Sequence, residues 1–228
     1  MSKKIGFIHS GAAIVNIFSK LMKEKLPQTI YFHLVDDSII KDLLKEDIDL
    51  SRELNTSASI VRRISRLVIQ AVDDGADVVM FTCSSISPVA DIADKLVEIP
   101  VYKVDTPMAD AAISIGTNIG VLATAKTTLN PSVSLLLQEA KLKGKSVNIE
   151  SLVISEAFDC YKKGEMEKHD RLIMEKGIKI GEKVDLIILA QASMSHLAEE
   201  ISKKANIPVL TSPPLAIEFL KSKYSNNK

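Results

Sequence analysis

Two segments of the chain repeat one another, and this repeat constrains the fold more than any other feature of the sequence. Residues 77–87 read DVVMFTCSSIS and residues 185–195 read DLIILAQASMS, matching position by position. The same spacing separates the Ile-Pro-Val sequence of residues 99–101 from that of residues 207–209. Near the start, residues 5–10 (IGFIHS) resemble residues 119–124 (IGVLAT). The repeat predicts two half-length units of one architecture.

Short runs rich in Ile and Val alternate with longer segments in which apolar residues recur three and four apart. The short runs are typical of buried parallel strands, and the longer segments are typical of one-sided helices. The predicted strands are residues 4–8, 29–34, 77–81, 101–104, 118–122, 147–153, 185–189 and 208–210. The predicted helices are residues 13–25, 56–74, 88–95, 108–115, 131–143, 166–183, 194–203 and 214–221. This alternation predicts an α/β protein.

No Gly/Ser-rich or charged linker separates the two halves, because the join at residues 105–107 is a strand-to-helix turn. We expect the helix after Pro214 to return to the first half. The predicted domains are therefore residues 1–105 plus 212–228, and residues 106–211.

Composition narrows the classes of partner. The 29 basic and 29 acidic residues leave no basic excess to neutralise nucleic acid. No apolar run reaches the ~18 residues of a membrane span, so we predict a cytoplasmic protein that binds neither nucleic acid nor membrane. Two cysteines and four histidines, without metal-ligand spacing, argue against a disulfide scaffold or a structural metal. The few aromatic residues favour a small, polar ligand.

Small hydroxyl side chains follow four of the predicted strands. At the carboxyl edge of a parallel sheet, backbone N–H groups and helix dipoles favour an anion. The four loops are residues 9–11, 82–85, 124–128 and 191–193. An alternative is that these hydroxyls only cap helices, which suffices for Ser87 before Pro88 but leaves Ser84 and Ser85 unexplained.

Cys83 is the strongest candidate for chemistry. It follows a buried strand and precedes a predicted helix, whose dipole would favour the thiolate as base or nucleophile. The alternative is a buried cysteine that acts as a small hydrophobic residue. Cys160 lies within a helical pattern, and we interpret it as structural.

The chain resembles the aspartate/glutamate racemase superfamily, which includes hydantoin racemases, maleate isomerases and arylmalonate decarboxylases. The resemblance rests on four segments: residues 5–10, 82–85, 120–128 and 189–194. It implies two pseudo-symmetric Rossmann-like (flavodoxin-like) parallel-sheet domains with the active site in the cleft between them. It also implies a homodimer, a small carboxylate substrate, and no metal or pyridoxal phosphate cofactor.

The resemblance also implies site residues, with one departure. Two thiols exchange a proton in the two-base racemases, but here Gln191 stands at the second cysteine position, and an amide is no base near neutral pH. Cys83 and Gln191 are the implied catalytic residues. The implied substrate-binding residues are Ser10, Ser84, Ser85, Thr124, Thr127 and Ser193.

The expected function is an isomerase of the racemase superfamily that acts at the carbon alpha to the carboxylate of a small acid, such as an amino acid, with a single thiol. A one-cysteine lyase (decarboxylase) and a non-catalytic carboxylate-binding protein are the alternatives. His9 could serve as an acid or base, or as a hydrogen-bonded structural residue, and we leave it out of the catalytic set.

Overall fold

Strands and helices alternate throughout the computed structural model, which describes residues 3–45, 48–51 and 57–224. The strands of these residues form two four-stranded parallel sheets. The first sheet contains β1 Ile5–His9, β2 Tyr31–Val35, β3 Val78–Phe81 and β4 Val101–Lys103. The second contains β5 Asn118–Ala123, β6 Asn148–Val153, β7 Leu186–Leu189 and β8 Val209–Thr211. The predicted α/β class with parallel sheets is confirmed.

Ten α-helices connect and follow these strands within the described ranges. They are α1 Val15–Lys25, α2 Asp37–Lys45, α3 Ala58–Asp73, α4 Ala90–Ala93, α5 Thr106–Ile115, α6 Lys126–Leu142, α7 Ser155–Lys163, α8 Met166–Gly181, α9 Ala198–Ala205 and α10 Ser212–Tyr224. No helix in the described part of the chain is long and apolar enough to cross a bilayer.

Both sheets have the same strand order. The first runs β2-β1-β3-β4 and the second β6-β5-β7-β8. In the first sheet, β2 lies on one side of β1, whereas β3 and β4 lie on the other side, so the strand order changes direction between β1 and β3. The same change occurs between β5 and β7 in the second sheet. In open parallel sheets this reversal opens a crevice at the carboxyl ends of the two strands, where ligands bind. The loops after β1, β3, β5 and β7 are thus the functional candidates.

An aspartate joins the amino ends of the two central strands in each sheet. The Asp77 carboxylate accepts the Lys4 backbone N–H at 2.8 Å, and the Asp185 carboxylate accepts the Asn118 backbone N–H at 2.7 Å. Each aspartate also donates its own N–H to the carbonyl of the same partner residue. This shared contact explains why both copies of the sequence repeat begin with Asp.

The chain divides into two compact units, Met1–Thr106 with Pro213–Lys228, and Pro107–Ser212. In unit 1, α10 packs on the sheet, burying Ala216, Ile217 and Leu220 in one cluster with Ile5 and Phe7. The other face of that sheet is covered by α3 through a second apolar cluster. Residues 1–2, 46–47, 52–56 and 225–228 of the predicted first domain lie outside the described residues.

In unit 2, β5 and β7 pack against α8 and α9. Leu122, Ile187 and Leu189 share a buried cluster with Ile173 and Ile201. The two helices approach closely where α8 carries Gly181, because a Cβ there would lie 2.8 Å from the Cβ of Ala205. The small residues are therefore required by the spacing of the helices.

Three helix predictions need correction. The predicted helix 194–203 is a 3₁₀ segment at Ala192–Leu197 followed by α9 at Ala198–Ala205. The predicted helix 88–95 is three short pieces, a 3₁₀ turn at Ser87–Val89, then α4, then a 3₁₀ turn at Asp94–Leu96. The predicted helix 131–143 begins five residues earlier, at Lys126, so that Pro131 lies inside α6. The carbonyl of Ala125 accepts the N–H groups of Thr128 and Leu129, which builds the first turn before the proline is reached.

Candidate active site

In unit 1, the loops that follow β1 and β3 bring Ser10 and Cys83 together. The Thr82 N–H donates to the Ile8 carbonyl at 3.1 Å, which extends the pairing of the two strands to their last residues. Next to these residues, Ser10 and Ser85 act on the Cys83 sulfur as hydrogen-bond donors that favour its thiolate. Ser10 is 1% exposed and Cys83 is partly exposed.

The environment of Cys83 favours the thiol over the thiolate. Burial raises the pKa of Cys83 above its ordinary value and outweighs the hydrogen bonds from Ser10 and Ser85, while the Asp105 charge raises it further. The expectation that a helix dipole lowers this pKa is wrong. No α-helix starts at the loop, because residues 83–87 form turns in which the Cys83 carbonyl accepts the Ile86 and Ser87 N–H groups. Cys83 is thus protonated at neutral pH.

A buried carboxylate that the sequence analysis did not identify lies beside this loop. The Ser84 hydroxyl donates to Asp105 Oδ1 at 3.0 Å, and the Ser87 hydroxyl is 3.5 Å from Oδ2. Asp105 is 2% exposed. Ser87 also donates to the Cys83 carbonyl rather than capping a helix, so the capping interpretation of Ser87 is wrong. The position of Asp105 just past β4 is the sequence signal that could have indicated it.

In unit 2, the loops that follow β5 and β7 bring Thr124 and Gln191 together. Gln191 Oε1 accepts the Thr124 backbone N–H at 2.5 Å and the Thr124 hydroxyl at 2.8 Å. A backbone N–H can only donate, so the atom facing Thr124 is the amide oxygen. The Gln191 NH₂ group is consequently directed away from Thr124, and it is a donor only.

The two units therefore use their strand ends in the same way. Ser10 and Thr124 follow the first strand of each unit, and Cys83 and Gln191 follow the neighbouring strand. In each unit the hydroxyl of the first residue hydrogen-bonds the second. The sequence repeat thus places an amide where the other unit has a thiol.

The first turn of α6 offers a site for an anion. Thr127 is 3% exposed, and its hydroxyl has no partner among the described residues. The N-cap residue of α6, Ala125, makes no side-chain cap, and Lys126 is exposed at the first position of the helix. In general, the positive end of a helix dipole favours an anion near the first turn. Ser193 is partly exposed in the 3₁₀ segment Ala192–Leu197, two residues after Gln191.

His9 is buried and belongs to a series of hydrogen bonds in unit 1 whose outer members, His33 and Ser19, are partly exposed. Its Nδ1 lies 2.7 Å from Thr82 Oγ1, and its Nε2 lies 2.8 Å from Nδ1 of His33. Nε2 of His33 lies 2.9 Å from the Ser19 hydroxyl. Burial, with a smaller contribution from the charge of His33, lowers the pKa of His9 to about 3, and burial also lowers the pKa of His33. Both imidazoles are therefore neutral at neutral pH.

Cys160 is 4% exposed on α7, within the unit 2 core. Among the residues that the structure describes, no group of three or more histidine, cysteine or acidic side chains is arranged to hold a metal ion.

Several solved structures share this fold. The glutamate racemase of Francisella tularensis superposes with a TM-score of 0.73 and 19% identity, over 97% of this chain and 80% of its own. The aspartate racemase of Picrophilus torridus gives a TM-score of 0.67 and 19% identity, with 97% and 94% covered. Unliganded arylmalonate decarboxylase gives 0.60 and 14%, with 99% and 94% covered.

Sequence identities this low support a shared fold and nothing further. The comparison with curated proteins found no match. The sequence itself carries the stronger result, because the family model described as Asp/Glu/Hydantoin racemase matches residues 5–220. That range includes both sheets and all four strand-end loops. This chain is accordingly a member of the Asp/Glu/hydantoin racemase family.

Proposed function

We propose that this chain is a one-thiol enzyme that acts at the carbon alpha to the carboxylate of a small acid. Cys83 would be the proton donor, and Gln191 would stabilise negative charge. The observation that carries the proposal is the orientation of Gln191, whose amide oxygen accepts two hydrogen bonds from Thr124. Only the NH₂ group then remains for a substrate, and it cannot remove a proton.

This arrangement argues against two-base racemisation. Such a reaction needs a proton acceptor on one face of the carbon and a proton donor on the other. Cys83 can supply one of these, but a primary amide has no basic lone pair near neutral pH. An amide N–H aimed at a developing negative charge is instead typical of oxyanion stabilisation. The second position therefore suits charge stabilisation better than proton transfer.

The raised pKa of Cys83 favours a lyase within this class. In the proposed reaction, the bond between Cα and a leaving carboxylate breaks, and its electron pair passes to Cα as an enediolate while CO₂ departs. The Cys83 S–H proton then bonds to Cα from one face, and the resulting thiolate is reprotonated by water. A thiol that is protonated before the reaction is the form this step requires.

We assign the retained carboxylate to the hydroxyl side chains at the strand ends. The unpartnered Thr127 hydroxyl, the first turn of α6 and Lys126 are the strongest contributors. Ser10, Ser85 and Ser193 are assigned to the same role, and Thr124 holds Gln191. Ser84 is assigned to the support of the Cys83 loop, because its hydroxyl donates to Asp105.

The test is a panel of small acids in D₂O, followed by NMR and chiral chromatography, with amino acids, hydroxy acids, hydantoins, maleate and substituted malonates. We expect CO₂ release from a malonate with deuterium delivered to one face. Cys83→Ala should reduce the rate ~10²–10⁴-fold, the usual range for a removed proton-transfer group. Cys160→Ala is the matched control and should leave the rate unchanged.

Gln191→Cys tests the second position directly. A thiol there supplies the missing base, so this variant should gain exchange with racemisation that the parent protein lacks. Cys83-dependent racemisation by the parent itself would overturn the one-thiol assignment. Binding of a small acid without turnover of any panel member would overturn the assignment as an enzyme and support a carboxylate-binding protein.

A further inference from the structure

The directions of the hydrogen bonds that link Ser19, His33, His9 and Thr82 follow from one assignment, that of the Thr82 hydroxyl hydrogen. The Thr82 hydroxyl lies 2.9 Å from the Ile8 carbonyl oxygen, which can only accept, and we assign its single hydrogen to this contact. Thr82 Oγ1 must then accept from Nδ1 of His9, 2.7 Å away. A neutral His9 consequently carries its proton on Nδ1 and accepts at Nε2.

The same counting fixes the second histidine. Because His9 Nε2 accepts, His33 Nδ1 must donate across the 2.8 Å contact. A neutral His33 then accepts at Nε2 from the Ser19 hydroxyl at 2.9 Å. The chain runs in one direction, from Ser19 through both imidazoles and Thr82 to the Ile8 carbonyl. With this direction each contact has one donor and one acceptor, and both histidines are Nδ1–H tautomers.

Unit 2 provides an internal comparison for this chain. The residue that follows Leu122 in β5 is Ala123, at the place of His9, and Ala190 stands at the place of Thr82. The backbone bond is kept, since the Ala190 N–H donates to the Leu122 carbonyl at 2.9 Å. Both alanines are fully buried. The hydrogen bond between the two strand ends therefore forms in unit 2 without any polar side chain at these positions.

Burying the His9 imidazole, and that of His33 in part, is unfavourable unless both are hydrogen-bonded, and the backbone contact forms in unit 2 without them. Their location indicates what they serve. Thr82 directly precedes Cys83 in the sequence, and His9 directly precedes Ser10. The hydrogen bond between His9 and Thr82 therefore restrains the backbone next to both Ser10 and Cys83. The alanines of unit 2 adjoin Thr124 and Gln191 instead.

We propose that His33 and His9 are positioning residues that act through Thr82 to hold the Cys83 thiol against Ser10. The inference rests on the proposed function only for the role given to the thiol. Its tests use no substrate, so an inactive panel would leave them unaffected.

The first test is the tautomeric state of the parent protein, measured by long-range ¹H–¹⁵N correlation NMR of the histidine rings. The expected result is the Nδ1–H form for both His9 and His33, whereas a free imidazole exchanges between its two forms. An Nε2–H signature for either ring in the folded protein would overturn the proposal. No variant is involved, so this test does not depend on a substitution being tolerated.

The second test is the alkylation of Cys83 by iodoacetamide, followed by mass spectrometry over a range of pH. The limiting rate at high pH reports access to the thiolate, free of its pKa. His33→Leu should raise this rate about fivefold, because one net hydrogen bond no longer keeps the loop closed. His33→Asn should stay within about twofold of the parent, since its amide can donate from nearly the position of Nδ1. The buried Cys160 in the same digest is the internal reference.

Equal rates for His33→Leu and the parent would refute the positioning role. So would an increase for His33→Asn as large as that for His33→Leu. If His33→Leu does not fold, Ser19→Ala replaces it, because that change removes only the outermost donor. The NMR signature of His33 should then stay that of the Nδ1–H form, because the contact with His9 fixes that proton, and an Nε2–H signature would refute the assigned direction.

Discussion

Acidification should destabilise unit 1 through His9. The folded state holds the pKa of His9 at about 3, whereas an unfolded histidine titrates near 6.5. The unfolded chain therefore takes up the proton first as the pH falls. The stability that comes from a neutral His9 is complete above pH 6.5 and is lost progressively toward pH 3.

The magnitude follows from the two pKa values. A pH of 5 lies about 1.5 units below the pKa of His9 in the unfolded chain, and each unit corresponds to ~1.36 kcal/mol of unfolding free energy. The free energy of unfolding should therefore fall by about 2 kcal/mol between pH 8 and pH 5. His33 acts in the same direction. Ordinary carboxylates titrate near pH 4, below this window, so they contribute little to the difference.

The assay is urea unfolding at pH 8 and pH 5, read by pulsed hydrogen exchange of a β1 peptide so that unit 1 alone is followed. His9→Asn should remove about 2 kcal/mol from the difference between the two pH values. Ile5→Val is the stability control, because it costs ~1 kcal/mol at both pH values and keeps both histidines. A difference that is the same for His9→Asn and the parent would refute the claim that packing holds His9 neutral.

Two further predictions concern the Cys83 loop and the core of unit 2. Asp105→Asn should lower the pH midpoint of Cys83 alkylation, because it removes a negative charge that raises the pKa of the thiol. Ser10→Ala should raise the midpoint, because it removes a hydrogen bond that stabilises the thiolate. Shifts of the same sign for the two variants would contradict these roles. Gly181→Ala should reduce the free energy of unfolding by ~1–3 kcal/mol through its clash with Ala205, and a calorimetric scan showing no loss would contradict it.

Sequence reasoning located the strands well because each is a short buried apolar run between polar loops, as in residues 78–81. It located helix starts less well. Pro131 suggested a helix N-terminus, but α6 starts five residues earlier, at Lys126, because the Ala125 carbonyl accepts the Thr128 and Leu129 N–H groups. A single residue such as proline is a weak marker of a helix start, because the start also depends on backbone hydrogen bonds that form only in the folded protein.

In the candidate site, too, the sequence revealed some of the residues and missed others. The repeat was enough to place Gln191 opposite Cys83 in the alignment of the two units. The partners Asp105 and His33 were missed because their contacts join residues far apart in sequence. The sign of the Cys83 pKa shift was also missed, since burial of the thiol depends on side chains from several elements rather than on the helix that follows.

The return of α10 to unit 1 has a consequence for synthesis on the ribosome. Unit 2 is one continuous stretch, Pro107–Ser212, and can close as soon as it has emerged. The first strands of unit 1 are made before unit 2, but Ile5 and Phe7 lack their Ala216, Ile217 and Leu220 partners until α10 has been made. The half of the molecule translated first therefore gains part of its core late. Phe18 and Met22 of α1 can cover Ile5 and Phe7 early, but the α10 residues join this cluster only after unit 2 has been made.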